Sequence, residues 1–155
     1  MMQRLPYFAL LLVLFTSCGP TVIYEETKPL PGSGWTYADS ARFDFTIPNA
    51  EQAYDLVLEL TYEDNFPSQN FYVQLHTGFP SGKRTTEQLS LQLAGDFGAW
   101  LGDCGGGSCE QELTILRHAR FKDVGDYYLT VVQHTREEAL AGVGSVGLVV
   151  RETEE

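Results

Sequence analysis

Three cysteines are the side chains best placed to do chemistry in this 155-residue chain, and they fall into two settings. Cys18 closes Thr16-Ser17-Cys18-Gly19, directly after the apolar stretch at 7–15 and downstream of Arg4. One cation, an apolar run of roughly 7–15 residues and small residues at a cleavage point make an export signal, and such a run falls short of the roughly 20 residues a helix needs to cross a bilayer. A thiol exposed by that cleavage is the atom to which a diacylglycerol is attached. Residues 1–17 therefore read as a lipoprotein signal and Cys18 as the acylated first residue, carrying fatty chains such as palmitate. Phe15 stands where such signals prefer Leu, and an ordinary secretory signal with a chance cysteine is the competing reading.

The second setting is Cys104-Gly105-Gly106-Gly107-Ser108-Cys109. Export places the pair in an oxidising compartment, and the small residues between them let the chain turn back, so a local disulfide is the first reading. Free redox thiols and metal ligation compete with it. A zinc site wants four Cys or His ligands, usually in pairs, and no second pair is present.

The remaining chemistry-bearing residues do not converge at workable spacing. His76, His118 and His134 fall at the ends of separate expected strands, on or near polar positions. Gly105-Gly106-Gly107 has neither the strand-to-helix passage nor the Lys-Ser/Thr of a phosphate cradle, and reads as loop. Asp96, Asp103 and Glu110 lack the alternating pattern of a calcium loop, although a calcium site stays open as a minor alternative. The expectation is therefore no catalytic residues, no cofactor, no metal and no small-molecule substrate.

The elements that must carry these residues announce themselves by period two, the mark of half-buried strands. Stripes run through Phe43, Phe45 and Ile47; through Tyr54, Leu56, Leu58, Leu60 and Tyr62; and through Phe71, Val73 and Leu75. They continue through Leu89, Leu91 and Leu93; Leu113 and Ile115; Tyr127, Leu129 and Val131; and Val146, Leu148 and Val150. Turn formers separate all seven. Several short strands without helical patterns between them predict an all-β fold, a single antiparallel β-sandwich of about seven or eight strands, Ig-like or jelly-roll-like. Only residues 136–141 look helical. The expected division is a signal at 1–17, Cys18 and a Pro/Gly-containing tether at 18–34, a sandwich at 35–151 and an acidic tail at 152–155.

Cleavage after residue 17 leaves 9 basic and 21 acidic side chains, a net charge of −12. Such a surface repels nucleic-acid phosphate and anionic headgroups, so nucleic acid is excluded as a partner and membrane attachment falls to the acyl chains. Exposed aromatics are the other means of contact. Tyr72 and Tyr128 point away from their stripe neighbours, and Phe66, Asn70, Trp100 and Arg136 complete a possible contact surface.

The punctuation between strands resembles the GldH family of gliding-motility lipoproteins of Bacteroidetes-type bacteria. Four stretches carry the resemblance: the signal ending at Cys18; Phe66-Pro67-Ser68-Gln69-Asn70-Phe71; Leu93 through Gly98-Ala99-Trp100-Leu101-Gly102; and Gly125-Asp126-Tyr127 leading to Arg136-x-x-x-Leu140-x-Gly142-x-x-x-Val146-Gly147-Leu148. Thr135 and Ser68 depart from the family's usual Met and Tyr, and the cysteine pair is not a family feature. The resemblance implies a non-enzymatic envelope lipoprotein, membrane-bound and facing the periplasm, that contacts other envelope proteins in a motility or secretion complex. A glycan-binding surface lipoprotein is the alternative, and it requires Tyr72, Tyr128 and Trp100 to form an exposed platform.

Overall fold

A computed structural model of the chain describes residues 19–153. In chain order the strands are β1 (Val22–Pro29), β2 (Trp35–Thr36), β3 (Ala41–Ile47), β4 (Ala53–Glu63), β5 (Asn70–Gly78) and β6 (Arg84–Gln92). They continue with β7 (Asp103–Gly105), β8 (Ser108–Arg120), β9 (Gly125–Gln133), β10 (Ala139–Leu140) and β11 (Val143–Glu152). All seven stripes read from the sequence are strands, because alternation puts one apolar face on each and only a second sheet can cover it. The covering pair is a five-stranded sheet, β1-β11-β4-β8-β7, and a four-stranded sheet, β3-β9-β5-β6, with every pairing antiparallel. A two-stranded ribbon, β10-β2, closes one end. Among the described residues no helix is long and apolar enough to cross a membrane.

Inward side chains of the two sheets form one core, and its aromatics gather at the two ends. Phe45 stacks on Tyr127 at 5.9 Å, and Phe121 meets Tyr127 edge-on at 4.9 Å. At the other end Trp35 meets Phe71 at 6.3 Å, Phe66 packs on Phe71 at 5.8 Å, and Trp100 meets Tyr62 at 5.4 Å. These tilted and edge-on geometries suit the ring quadrupole.

Three expectations about the elements need correction. Much of the segment expected as a tether, residues 18–34, is strand: β1 lies along β11, with Val22 opposite Arg151 and Pro29 opposite Ser145. It shows no apolar period because it is an edge strand whose residues are mostly exposed, with only Ile23 and Tyr24 packed on the core, and an edge tolerates Pro29. Residues 136–141 are not helical. Six residues cannot repay helix nucleation, and burying Leu140 opposite Trp35 makes this segment half of the β2–β10 ribbon. Glu152 belongs to β11 rather than to a solvated tail; its N–H donates to Thr21 O at 2.8 Å. Glu154 and Glu155, like Cys18 and the signal, lie outside the described residues.

Candidate functional site

The end of the sandwich closed by β2 and β10 collects the exposed apolar surface. Four of the seven large apolar side chains exposed among the described residues stand there: Tyr37 (48%), Tyr72 (45%), Phe97 (107%) and Leu101 (57%). They come from separate segments that the tertiary fold holds side by side. The Tyr37 hydroxyl donates to Thr135 O at 2.7 Å, and His134 N–H donates to Tyr72 O at 2.8 Å. Leu93 and Ala94 N–H both donate to Gln69 O, which sets the loop carrying Phe97 beside the start of β5.

Of these four only Tyr72 was expected from the sequence as a contact residue; Tyr37, Leu101 and, most exposed of all, Phe97 were missed. The φ of Phe97 is +64, the left-handed region that is uncommon for an aromatic residue, and its ring is fully in solvent. An apolar side chain held exposed on a disfavoured backbone is a reason to suspect function rather than packing. The only signal in the sequence was Phe between Asp96 and Gly98 in a turn-forming stretch, which separates it from every strand stripe.

Three of the six expected contact residues meet at this end. Asn70, Tyr72 and Arg136 line one open depression of about 520 Å³, with Phe71 and Leu140 also contributing to its wall. Asn70 Nδ2 is fixed by Ser90 Oγ at 2.8 Å. Trp100 is at the same end but half-buried, its Nε1 donating to Asp64 O at 2.9 Å. Phe66 is a correction: at 4% exposure it belongs to the core, because its ring fills the space between Tyr62 and Phe71. The disulfide links Cys104 to Cys109 across the β7–β8 turn, and Asp64 N–H donates to Gly107 O at 3.1 Å, so this turn is tied to the same end.

Tyr128 is the second correction. It faces outward as expected, yet it is half-buried, because its ring lies across Gly78 on the neighbouring strand and the Arg42 guanidinium covers it at 4.0 Å. A Cβ on Gly78 would come within 1.9 Å of the Tyr128 ring. Gly78→Ala should therefore cost about 1–3 kcal/mol through overpacking. Pairing it with Tyr128→Ala should recover most of that loss, a coupling read from urea midpoints of the two single variants and the double. Six residue steps along β5 separate Tyr72 from Gly78, placing Tyr72 and Tyr128 roughly 20 Å apart, so the two do not form the flat platform a glycan-binding face requires.

The histidines stay apart. His76 Nδ1 pairs with Thr86 Oγ1 at 2.9 Å, His118 Nδ1 with Thr153 Oγ1 at 3.2 Å on the other sheet, and His134 is exposed beyond β9. Among the described residues no three His, Cys, Asp or Glu side chains converge as metal ligands would.

A family model for the GldH lipoprotein matches residues 22–150. The chain belongs to the GldH lipoprotein family. It is 26% identical over 147 residues to the gliding motility lipoprotein GldH of Flavobacterium johnsoniae, covering 90% of this chain and 91% of that one. It is 22% identical over 154 residues to a GldH homolog of Christiangramia forsetii, covering 95% and 94%. Among solved structures, a structure of the infectious bursal disease virus Gx strain aligns at TM-score 0.39 and 11% identity, over 86% of this chain and 31% of the viral one.

The chain carries a second surface feature, an acidic trough on the outer face of the five-stranded sheet. Glu59 sits opposite Glu112 on β8 and opposite Gly147 on β11, with Glu110 and Thr27 lining the same trough. Gly147 leaves room for two of these side chains; a Cβ there would meet Thr27 Oγ1 at 2.9 Å and Glu59 Oε2 at 3.0 Å. Burial first, and then the charges of Glu25, Glu112 and Glu110, push the Glu59 carboxyl above its ordinary value. The folded chain thus holds this proton more tightly than the unfolded chain. Stability from this group is fully present below the unfolded carboxylate pKa and is lost as pH rises through the raised folded value. Glu59→Gln should accordingly stabilise the protein at pH 7 by about 0.2–1 kcal/mol, the size of a directly opposed like-charge pair. The gain should vanish near pH 4. Thermal melts of both proteins at the two pH values check this, and an equal difference at both would remove the electrostatic cause.

Proposed function

We propose that this chain is an envelope lipoprotein of the gliding-motility apparatus and its linked protein-secretion machinery, anchored through Cys18, facing the periplasm, and working by protein contacts without performing a reaction. Membership of the GldH family over residues 22–150 is the observation that carries this reading. The name of the Flavobacterium johnsoniae relative supplies the motility association. The end closed by β2 and β10, called the aromatic end for its exposed aromatic side chains, supports contact as the mode of action: Tyr72 and Phe97 are the rigid, amphipathic or apolar anchors that protein interfaces favour, and Arg136, which shares a depression with Tyr72, is also of an enriched type.

Affinity purification of the tagged full chain from native membranes tests the proposal. Wild type should bring down a defined set of envelope proteins, and the Tyr72→Ala, Phe97→Ala double variant should lose most of them while keeping the wild-type melting temperature. Recovery of wild type alone, or turnover of a small molecule by the purified protein, would overturn it.

A further inference from the structure

We propose that the end of the sandwich opposite the aromatic end lies directly against lipid headgroups, so that the aromatic end is held outward, away from the membrane. This rests on the reading of Cys18 as the acylated residue. The ladder begins almost at once after it: Thr21 O accepts Glu152 N–H at 2.8 Å and Val22 pairs with Arg151. Three residue steps from Cys18 to Thr21 reach at most about 11 Å, whereas a free tether to Trp35 would reach roughly 60 Å. A domain on the longer tether can turn any face to the bilayer. On the shorter one it cannot.

Strand register says which end is held close. Glu152 lies opposite Tyr54, Ala53 lies opposite Arg120, and Thr153 N–H donates to Ala53 O at 2.9 Å, so the start of β1 and the ends of β11 and β8 share one edge of the domain. The β5–β6 hairpin turn reaches the same edge, since a Cβ on Gly125 would lie 3.4 Å from the Pro80 ring. The strands are nine to eleven residues long in β4, β5, β9 and β11, which puts the loop carrying Phe97 roughly 30 Å further from the bilayer.

Charge distribution favours the same orientation in a chain that is acidic as a whole. Lys83, Arg84, Arg117, Arg120, Lys122 and Arg151 are near the held edge, six of the nine cations that follow Cys18, and Asp44, Glu51, Asp55, Asp123, Asp126 and Glu152 are described carboxylates near the same edge, so the charges there are close to balanced. The aromatic end sets Asp39, Glu63, Asp64, Asp96, Glu137 and Glu138 against Arg136. Turning that acidic end toward anionic headgroups meets repulsion, and turning the nearly balanced edge toward them meets much less.

The test uses the full acylated chain in vesicles of phosphatidylethanolamine with phosphatidylglycerol, carrying a fluorophore attached through azidophenylalanine at Ser81 or at Ala99, and a headgroup spin-label quencher in the lipid. Ser81 is on the hairpin turn at the held edge and Ala99 is in the Phe97 loop. Quenching at Ser81 should exceed that at Ala99 several-fold. Insertion of about ten Gly/Ser residues between Pro20 and Thr21, enough to restore a flexible tether, should erase the difference. Equal quenching at the two sites without the insertion, or stronger quenching at Ala99, in protein whose mass shows an acylated Cys18, overturns the orientation and leaves the lipoprotein reading intact. A mass without acyl chains overturns both.

Discussion

Replacing Trp35 by alanine is expected to remove about 3–5 kcal/mol of stability, the range for truncating a buried aromatic. Trp35 is wholly buried, is edge-on to Phe71 at 6.3 Å, and lies opposite Leu140 in the β2–β10 ribbon. Its Nε1 donates to Asp39 O, and the Asp39 carboxylate accepts from Thr36 N at 3.1 Å and Thr36 Oγ1 at 2.6 Å. The ring therefore serves both as the plug of the sandwich end and as a fastener for the loop that carries Tyr37. A domain typically holds only about 5–15 kcal/mol in total, so the variant should sit close to the limit of folding. Urea titration followed by the fluorescence of Trp100, the other tryptophan, measures it. Trp35→Phe keeps the packing and loses the hydrogen bond, and should lose less than half as much. Equal losses for the two variants would show that the hydrogen bond, not cavity formation, dominates.

Cys18→Ala should move the protein from the membrane to the soluble fraction and abolish fatty-acid labelling. Each buried methylene contributes about 0.8 kcal/mol, and two or more chains hold a protein on a bilayer almost permanently. No other strong attraction replaces them: 9 basic against 21 acidic side chains after cleavage give a net repulsion from anionic headgroups, and the edge held near the bilayer carries as many described carboxylates as cations. Subcellular fractionation with a carbonate wash, run beside metabolic labelling, gives the result. Retention of the unlabelled variant on the membrane would show that protein contacts, rather than acyl chains, attach it.

The two predictions draw on different kinds of information. Cys18 and the residues before it form a local pattern of the kind a signal peptidase reads in order, so nothing beyond the sequence is needed to propose it. The central strands are similarly legible, because period two is imposed by burying one face, and the stripes through Phe43, Leu58 and Leu148 fall on residues with no exposed surface. Trp35 is different. Its burial depends on Leu140, more than a hundred positions away, and a two-residue strand is too short to show any period. Edge strand β1 escaped notice for a related reason, since one neighbour and two mostly wet faces ask little of its side chains.

The contact surface divides in the same way. Outward direction is a local property, and Tyr72 and Tyr128 both point away from the core as their strand parity requires. Exposure is not local: Tyr128 is covered because Gly78 happens to lie beside it on the adjacent strand, while Tyr72 is left open. Phe66 and Phe97 exchange roles for the same cause, one loop folding over the core and the other projecting from it.

By itself the sequence carried the expectation of export and anchoring at Cys18, and it determined the all-β class and which face of each central strand is apolar, because each is read from neighbours within a few residues. Only the tertiary structure decided that Tyr37, Tyr72, Phe97 and Leu101 share one end, and that the ladder starts at Thr21 rather than near Trp35. Those are matters of register between distant strands, and register is set by the packing of whole sheets rather than by any one segment.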